Sequence, residues 1–169
     1  MNTIPKALVV IALTGAITAT RTPDLGDMEI AHIAYTAGEI DIRYAHLALA
    51  LSENDEIREF AETMIRDHTA VNEAALALLQ ELGATPVPNE TSTQLQDSAR
   101  QKRDELSRLR GAAFDRAYAA NELAYHQFVN ETVESAFLPS VENQRFKELL
   151  RSALETFKVH ERHAARLAR

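Results

Sequence analysis

The chain of 169 residues carries a net charge of −7 and contains no cysteine. The absence of cysteine excludes disulfide bonds, thiolate metal sites and thiol catalysis. The negative charge argues against a nucleic-acid partner, because binding to phosphates requires a basic surface.

The first predicted element is an export signal over residues 1–20. Lys6 precedes the apolar stretch Ala7–Ala19, and small residues suited to a signal peptidase follow near Thr18–Thr20. This stretch is shorter than the roughly 20 apolar residues that a membrane-spanning helix needs, and no other segment approaches that length. The sequence therefore predicts export to the periplasm, with outer-membrane association left open, and one mature domain at residues 21–169.

Two helices are predicted in the first half of this domain. Apolar residues at alternating steps of three and four predict a helix that starts at Asp27, as its N-cap, and runs to about Leu51. A tight polar connection at residues 52–55 leads into a second helix of the same periodicity. Gly83 ends that helix, as glycine commonly does at a helix C-terminus.

The second half predicts a polar helix followed by two more core helices. Residues 91–110 are charged and contain few large apolar side chains, which is typical of a solvent-facing crossover helix. The third core helix begins at Gly111. Pro139 and Ser140 are predicted to break the chain, with Ser140 as the N-cap of the fourth core helix.

These elements predict an all-α fold made of two antiparallel hairpins, 27–83 and 111–169. An up-down-up-down bundle would need only a short link between the hairpins. The long helical connection instead favours a ferritin-like four-helix bundle, in which a crossover joins the two hairpins.

Histidine and glutamate residues are predicted to converge at mid-bundle. Glu39 and His68 each lie about 14 residues from the first turn, so they stand at the same height in an antiparallel pair. His126 lies about 13 residues before the second turn, which brings it to that height in a ferritin-like arrangement. Glu122 follows one helical turn away on the same face, and His160 lies about one turn beyond.

The convergence of imidazole and carboxylate groups predicts a metal site. The candidate ligands are Glu39, His68, Glu122, His126 and His160, and such a set suits a transition metal ion, namely Zn²⁺, Cu²⁺, Fe or Mn. The alternative is a hydrogen-bonded polar layer that only fixes the register of the helices, in a structural or interaction module. No nucleophile motif or phosphate-binding loop is present, so the sequence favours binding over catalysis.

The chain also resembles a bacterial exported family catalogued as domain of unknown function 4142 (DUF4142). The segments that carry the resemblance are Ala37-Gly38-Glu39-Ile40, Phe60-Ala61, Met64-Ile65-Arg66-Asp67-His68-Thr69, Gly111-Ala112-Ala113-Phe114-Asp115-Arg116-Ala117-Tyr118, His126 and His160. The resemblance implies a ferritin-like four-helix fold and export. Members are often labelled outer-membrane proteins, and the resemblance implies no established activity.

The sequence departs from di-iron ferritins at their bridging carboxylates. Those proteins use Glu-x-x-His motifs on two helices. Ile65 stands three residues before His68, and Phe157 stands three residues before His160. We therefore expect a histidine-rich mononuclear or loosely dinuclear site that serves metal handling or envelope stress, rather than oxidative di-iron chemistry or iron storage.

Overall fold

The computed structural model describes residues 25–169, and this part of the chain is helical with no β-strand. Its elements are α1 (Asp27–Leu51), α2 (Asp55–Glu81), α3 (Glu90–Leu106), α4 (Gly111–Thr132), a π-helical turn (Val133–Phe137), α5 (Leu138–Ser140) and α6 (Gln144–Leu167). The prediction of an all-α fold is confirmed.

The predicted signal segment, residues 1–20, lies outside the described residues. Among the helices of residues 25–169, none combines the length and the hydropathy needed to cross a membrane.

The first hairpin, α1 and α2, turns at the predicted connection. Asn54 caps α2 with its side-chain oxygen, which accepts hydrogen bonds from the backbone N–H of Glu56 at 2.9 Å and of Ile57 at 3.4 Å. These bonds satisfy two of the donors that a helix N-terminus leaves free. The short connection makes α1 and α2 antiparallel neighbours.

The turn of the second hairpin differs from the prediction. The helix that starts at Gly111 continues through the π-helical turn and α5, so Pro139 and Ser140 are helical. Pro139 lies in α5, directly after the π-helical turn, and the helix ends one residue later at Ser140. Asn143, rather than Ser140, caps α6 by accepting a hydrogen bond from the backbone N–H of Phe146 at 3.0 Å.

The start of α1 also differs from the prediction, because Gly26 is the N-cap and Asp27 is the first helical residue. The Asp27 carboxylate accepts hydrogen bonds from the backbone N–H of Glu142 at 2.9 Å and of Asn143 at 2.8 Å. Asp27 therefore ties the start of α1 to the turn before α6. Its partners are more than a hundred residues away along the chain, so no local pattern reveals this role.

The four long helices contact one another in a ring. α1 packs along α2, and α4 packs along α6, while α2 also contacts α6 and α1 also contacts α4. α3 lies on the outside of this ring against α1 and α4 and occupies most of the predicted crossover segment. Few of its residues are buried, as its polar sequence predicts.

The apolar core is divided into two clusters along the helices. The first apolar cluster surrounds the turn between α1 and α2 and contains Tyr44, Phe60, Met64, Phe114 and Tyr118 among its buried members. The second apolar cluster lies towards the other end and contains Ile30, Ile33, Leu78, Phe137, Phe146 and Leu150. The helical segments between the two clusters supply the buried polar residues described below.

Gly38 allows α1 and α2 to approach closely beside Asn72. A Cβ atom at position 38 would lie 2.5 Å from Asn72 Oδ1, which is too short for any normal contact. The Asn72 side chain is held in place because its amide donates to Glu39 Oε1 at 3.2 Å. We expect Gly38→Ala to lower the free energy of unfolding by about 2 kcal/mol, a typical cost of overpacking, as measured by urea denaturation.

A double-mutant cycle separates this clash from the general effect of alanine in a helix. In an Asn72→Ala background the obstructing side chain is gone, so Gly38→Ala is expected to cost much less or to be neutral. The same loss in both backgrounds would contradict the steric explanation.

Candidate metal centre

Five ionisable side chains form a polar layer between the two apolar clusters. They are Asp41 of α1, His68 of α2, Glu122 and His126 of α4, and His160 of α6. None of them exposes more than 3% of its surface. All four long helices therefore contribute to one buried polar cluster.

The structure brings together the three histidines that the sequence predicts as ligands. The ring centres of His68 and His126 are 5.7 Å apart, and the ring of His160 lies 5.4 Å from each of them. One ring nitrogen of each histidine lies within 4.8 Å of the other two. Phe157 stacks on His68 at 4.5 Å between ring centres and covers one face of that imidazole.

Asp41 belongs to this cluster, although it was not among the ligands predicted from the sequence. Its Oδ2 atom lies 3.3 Å from His68 Nε2 and 3.4 Å from His126 Nε2. A signal was present in the sequence, because Asp41 lies four residues after Ala37 and three before Tyr44 on the apolar stripe of α1. A carboxylate at such a position is buried and needs a partner.

Glu39 does not belong to the cluster, so its predicted position is corrected here. Its carboxylate accepts a hydrogen bond from Asn72 Nδ2 at 3.2 Å and lies 4.0 Å from Arg43, and its side chain is 34% exposed. The reason is rotation about the helix axis. Successive residues turn by about 100°, so Glu39 points well away from Asp41, two positions later.

Glu122 lies beside His126, as predicted, on the side of the first apolar cluster. Its Oε2 atom is 3.7 Å from His126 Nδ1. Asp41, Glu122 and His126 each offer one atom within 4.8 Å of the others, so a second group of potential ligands shares His126 with the first.

Hydrogen bonds fix which nitrogen of His126 carries a proton. Its Nδ1 lies 2.9 Å from the backbone carbonyl oxygen of Glu122. A carbonyl only accepts hydrogen bonds, so Nδ1 must be the protonated nitrogen. The lone pair of Nε2 then points towards Asp41 and the other imidazoles. His126 can therefore bind one ion through Nε2 alone, since its other nitrogen is already occupied.

A second carboxylate, Asp67, fixes His160 in the same way. His160 Nε2 donates to Asp67 Oδ2 at 2.9 Å, and the other oxygen of that carboxylate accepts from Arg66 Nε at 2.7 Å. Burial raises the pKa of Asp67, but the hydrogen bonds from Arg66 and His160 outweigh it and hold this pKa below its usual value. His160 therefore presents its unprotonated Nδ1 to the cluster. A carboxylate behind a histidine in this way is the usual support of a metal-binding imidazole.

Burial also sets the charges within the cluster. It lowers the pKa values of His68, His126 and His160, because a charged imidazole is poorly solvated in the core. It raises the pKa of Asp41 to about 6, against the opposing effect of His126, and raises the pKa of Glu122 well above its usual value. Near neutral pH the three imidazoles are therefore neutral and carry free lone pairs.

Most polar side-chain atoms of the cluster, and the neighbouring hydroxyl of Tyr118, have no hydrogen-bond partner within residues 25–169. They are both carboxylate oxygens of Asp41 and of Glu122, both nitrogens of His68, Nε2 of His126, Nδ1 of His160 and the hydroxyl of Tyr118. Each buried polar atom without a partner costs about 1–3 kcal/mol. So many unpaired polar atoms in one layer destabilise the fold unless another group, such as an ion, binds to them.

Two of the distances between these atoms match those of a metal site. In a tetrahedral site with bonds of 2.0–2.1 Å, neighbouring ligand atoms are about 3.3–3.4 Å apart. Asp41 Oδ2 lies at 3.3 Å from His68 Nε2 and at 3.4 Å from His126 Nε2. His160 lies in the group with the other two histidines, so binding by its Nδ1 as a fourth donor would require Asp41 and the histidines to move closer together. The set has three nitrogen donors and one oxygen donor, which suits Zn²⁺ and its neighbours among the transition metals.

The fold and this cluster define an all-helical protein with a buried core of imidazole and carboxylate groups contributed by four helices. The sequence model of one family, described as a domain of unknown function (DUF4142), matches residues 12–167. The chain therefore belongs to this family. No curated protein and no solved structure matches the chain significantly.

Proposed function

We propose that this protein binds one transition metal ion in its core, with Asp41, His68, His126 and His160 as ligands and Glu122 next to them. The observation that carries this proposal is the set of unpaired donor atoms that four helices bring together in two groups sharing His126, with Asp41 Oδ2 at 3.3 Å from His68 and 3.4 Å from His126. The tautomers of His126 and His160, each fixed by a hydrogen bond on the far side of the ring, also support it.

The proposal includes a ferritin-like topology. Ser52 at the end of α1 donates to Asp115 near the start of α4 at 2.6 Å, while Asp27 at the start of α1 binds the turn before α6. These contacts support an α4 that runs antiparallel to α1 and parallel to α2. Parallel second and third core helices need a long connection, and α3 supplies it.

The proposed role is metal handling or envelope stress after export, rather than oxidation chemistry. Export is supported by the predicted signal at residues 1–20. Ile65 and Phe157 occupy the positions where a di-iron protein has bridging glutamates, and Phe157 stacks on His68. Four protein ligands around one ion are typical of a site that holds a metal rather than of one that activates a substrate.

Elemental analysis with ligand variants tests the proposal. Purified protein saturated with Zn²⁺ and then dialysed is expected to retain one ion per chain, and His68→Ala and His160→Ala are expected to lose it. The matched control is His46→Ala, since His46 lies on the surface of α1. A wild-type protein that retains no ion, or a control that loses as much as the site variants, would contradict metal binding.

The second candidate is a structural role, in which the polar layer only fixes the register of the helices. The bond from His160 of α6 to Asp67 of α2 favours it, because this bond joins two helices at a fixed register. This role predicts that His68→Ala and His160→Ala alter stability in the same way with and without added metal.

The Asp67 carboxylate gives a separate prediction, because it contacts His160 without belonging to the ligand set. We expect Asp67→Ala to weaken metal binding about 10- to 100-fold, the usual cost of losing the support of a ligand histidine. Competition with a chromophoric chelator measures the change. One ion per chain should still bind at saturation.

Asp97→Ala is the matched control for this variant. Asp97 pairs with Arg100 at 3.1 Å on the exposed surface of α3, so the substitution also removes an aspartate from an arginine pair. Its metal affinity should equal that of the wild type. Equal weakening in both variants would mean that Asp67 acts through overall charge rather than through His160.

A further inference from the structure

A cavity of about 290 Å³ lies inside the helical ring beside the metal centre. Asp41, His68 and His126 line one end of it. The remaining wall is mostly apolar and includes Ile33, Val133, Phe137, Leu150 and Phe157. The imidazole and carboxylate groups therefore lie at one end of the cavity, and the rest of its wall is mostly apolar.

The cavity reaches the surface next to α3. Thr91, Gln94 and Ser98 of α3 contribute to its lining, and all three are exposed. Phe128 of α4 also lines it and is 56% exposed. An exposed phenyl ring at the opening of an apolar cavity gives an apolar molecule a favourable first contact.

The size of the cavity limits what it can hold. An apolar cavity of about 150 Å³ stays free of water and binds benzene. The cavity described here has about twice that volume, and its apolar walls offer few partners to water. It suits a flexible chain of about ten carbons better than a small polar molecule.

The groups at the polar end of the cavity determine which head group a bound chain molecule can carry. Asp41 is the only acidic residue among the residues that line the cavity, and His160 and Glu122 are not among them. A divalent ion at the centre would therefore leave excess positive charge on the side that faces the cavity. An anionic oxygen ligand neutralises this charge, whereas an ammonium group would be repelled.

We propose that this cavity binds a medium-chain carboxylate, with its tail along the apolar wall and its carboxylate on the metal ion. The carboxylate would be a fifth ligand, added to the four protein ligands from the side of Asp41, His68 and His126, since a zinc ion can expand from four ligands to five. The inference rests on the proposed function for the head group only. The place of the tail depends on the cavity itself.

Calorimetric titration with decanoate tests the inference on protein loaded with Zn²⁺, below the concentration at which decanoate forms micelles. Decanoate is expected to bind once per chain, and decanol, which has the same tail without the anionic head, about tenfold more weakly. Ala75→Leu fills the cavity from α2 and should weaken decanoate binding by about tenfold or more.

Ala74→Leu is the matched control, because Ala74 is the preceding residue of α2, is exposed and does not line the cavity. Its affinity for decanoate should equal that of the wild type. Ala153→Leu in α6 fills the cavity from another helix and should act as Ala75→Leu does. Circular dichroism and the Zn²⁺ content of each variant show whether the fold and the metal centre are intact.

The outcomes separate this inference from the proposed function. One Zn²⁺ per chain without decanoate binding, or equal affinities in Ala75→Leu and Ala74→Leu, would overturn the cavity inference and leave the metal centre in place. A protein that takes up no Zn²⁺ overturns the proposed function and the carboxylate–metal contact. The apolar part then stands only if decanoate still binds in a way that Ala75→Leu weakens.

Discussion

Asp41→Asn is expected to abolish metal binding and, at the same time, to make the metal-free protein more stable. An amide is a poor metal ligand, so the site loses its only carboxylate that contacts both His68 and His126. Without a metal, however, the buried carboxylate is unfavourable. The amide that replaces it is neutral and can donate to an imidazole nitrogen that has no partner in the wild type.

The gain in stability should depend on pH in a defined direction. Burial raises the pKa of Asp41 from 3.8 to about 6, so the folded metal-free protein holds this proton more tightly than the unfolded chain does. Protonated Asp41 makes its full contribution to the free energy of unfolding below about pH 4. This contribution is lost as the pH rises through about 6. The variant has no such loss. Its advantage should be small at about pH 4, reach about half of its full size at about pH 5, and be about 3 kcal/mol at about pH 8.

Glu39→Gln is the matched control, since it also replaces an acid of α1 by its amide but lies outside the cluster. It should bind one Zn²⁺ per chain and show no comparable gain in stability at the higher pH. Urea denaturation of the metal-free proteins at these pH values measures the effect. If Asp41→Asn bound Zn²⁺ as the wild type does, Asp41 would not be a ligand.

Saturation with Zn²⁺ is expected to raise the melting temperature of the wild type by about 10 °C. An ion present at about 1,000 times its Kd adds about 4 kcal/mol to the stability of the folded state. In a protein of this size, each kcal/mol raises the melting temperature by about 2–4 °C. The ion also relieves the unfavourable burial of the unpaired imidazole and carboxylate atoms, so the folded state alone provides its site.

His126→Ala should remove this rise, because His126 lies 3.4 Å from Asp41 and its free Nε2 faces the other two imidazoles. His46→Ala, on the surface of α1, should keep it in full. Scanning calorimetry with and without Zn²⁺ compares the three proteins. A rise that is the same in all three would show that the ion binds elsewhere.

The helices could be predicted from the sequence because each depends on local signals. The apolar periodicity and the polar connection at residues 52–55 define α1 and α2, whose bounds agree with the structure within a few residues. The helix predicted to break at Pro139 continues to Ser140, because the π-helical turn and the short α5 follow α4 directly. The hydrogen bonds of Asp27 were missed since they depend on tertiary contacts.

The site could be predicted in part. Counting along two antiparallel hairpins gives the height of His68 and His126 but not the direction in which a side chain points around its helix. Glu39 has the right height and points away from the cluster, whereas Asp41 lies on the apolar stripe and faces inward. A position on the apolar stripe of a helix therefore predicts which carboxylates face the core, as it does for His68 and His160.

Anomalous X-ray scattering from crystals grown with Zn²⁺, collected at the zinc absorption edge, shows directly whether an ion binds in the core. We expect one strong peak in the core, about 2.0–2.1 Å from Asp41 Oδ2, His68 Nε2, His126 Nε2 and His160 Nδ1. Crystals whose anomalous peaks lie only on the surface, with these four side chains unchanged, would contradict metal binding in the core.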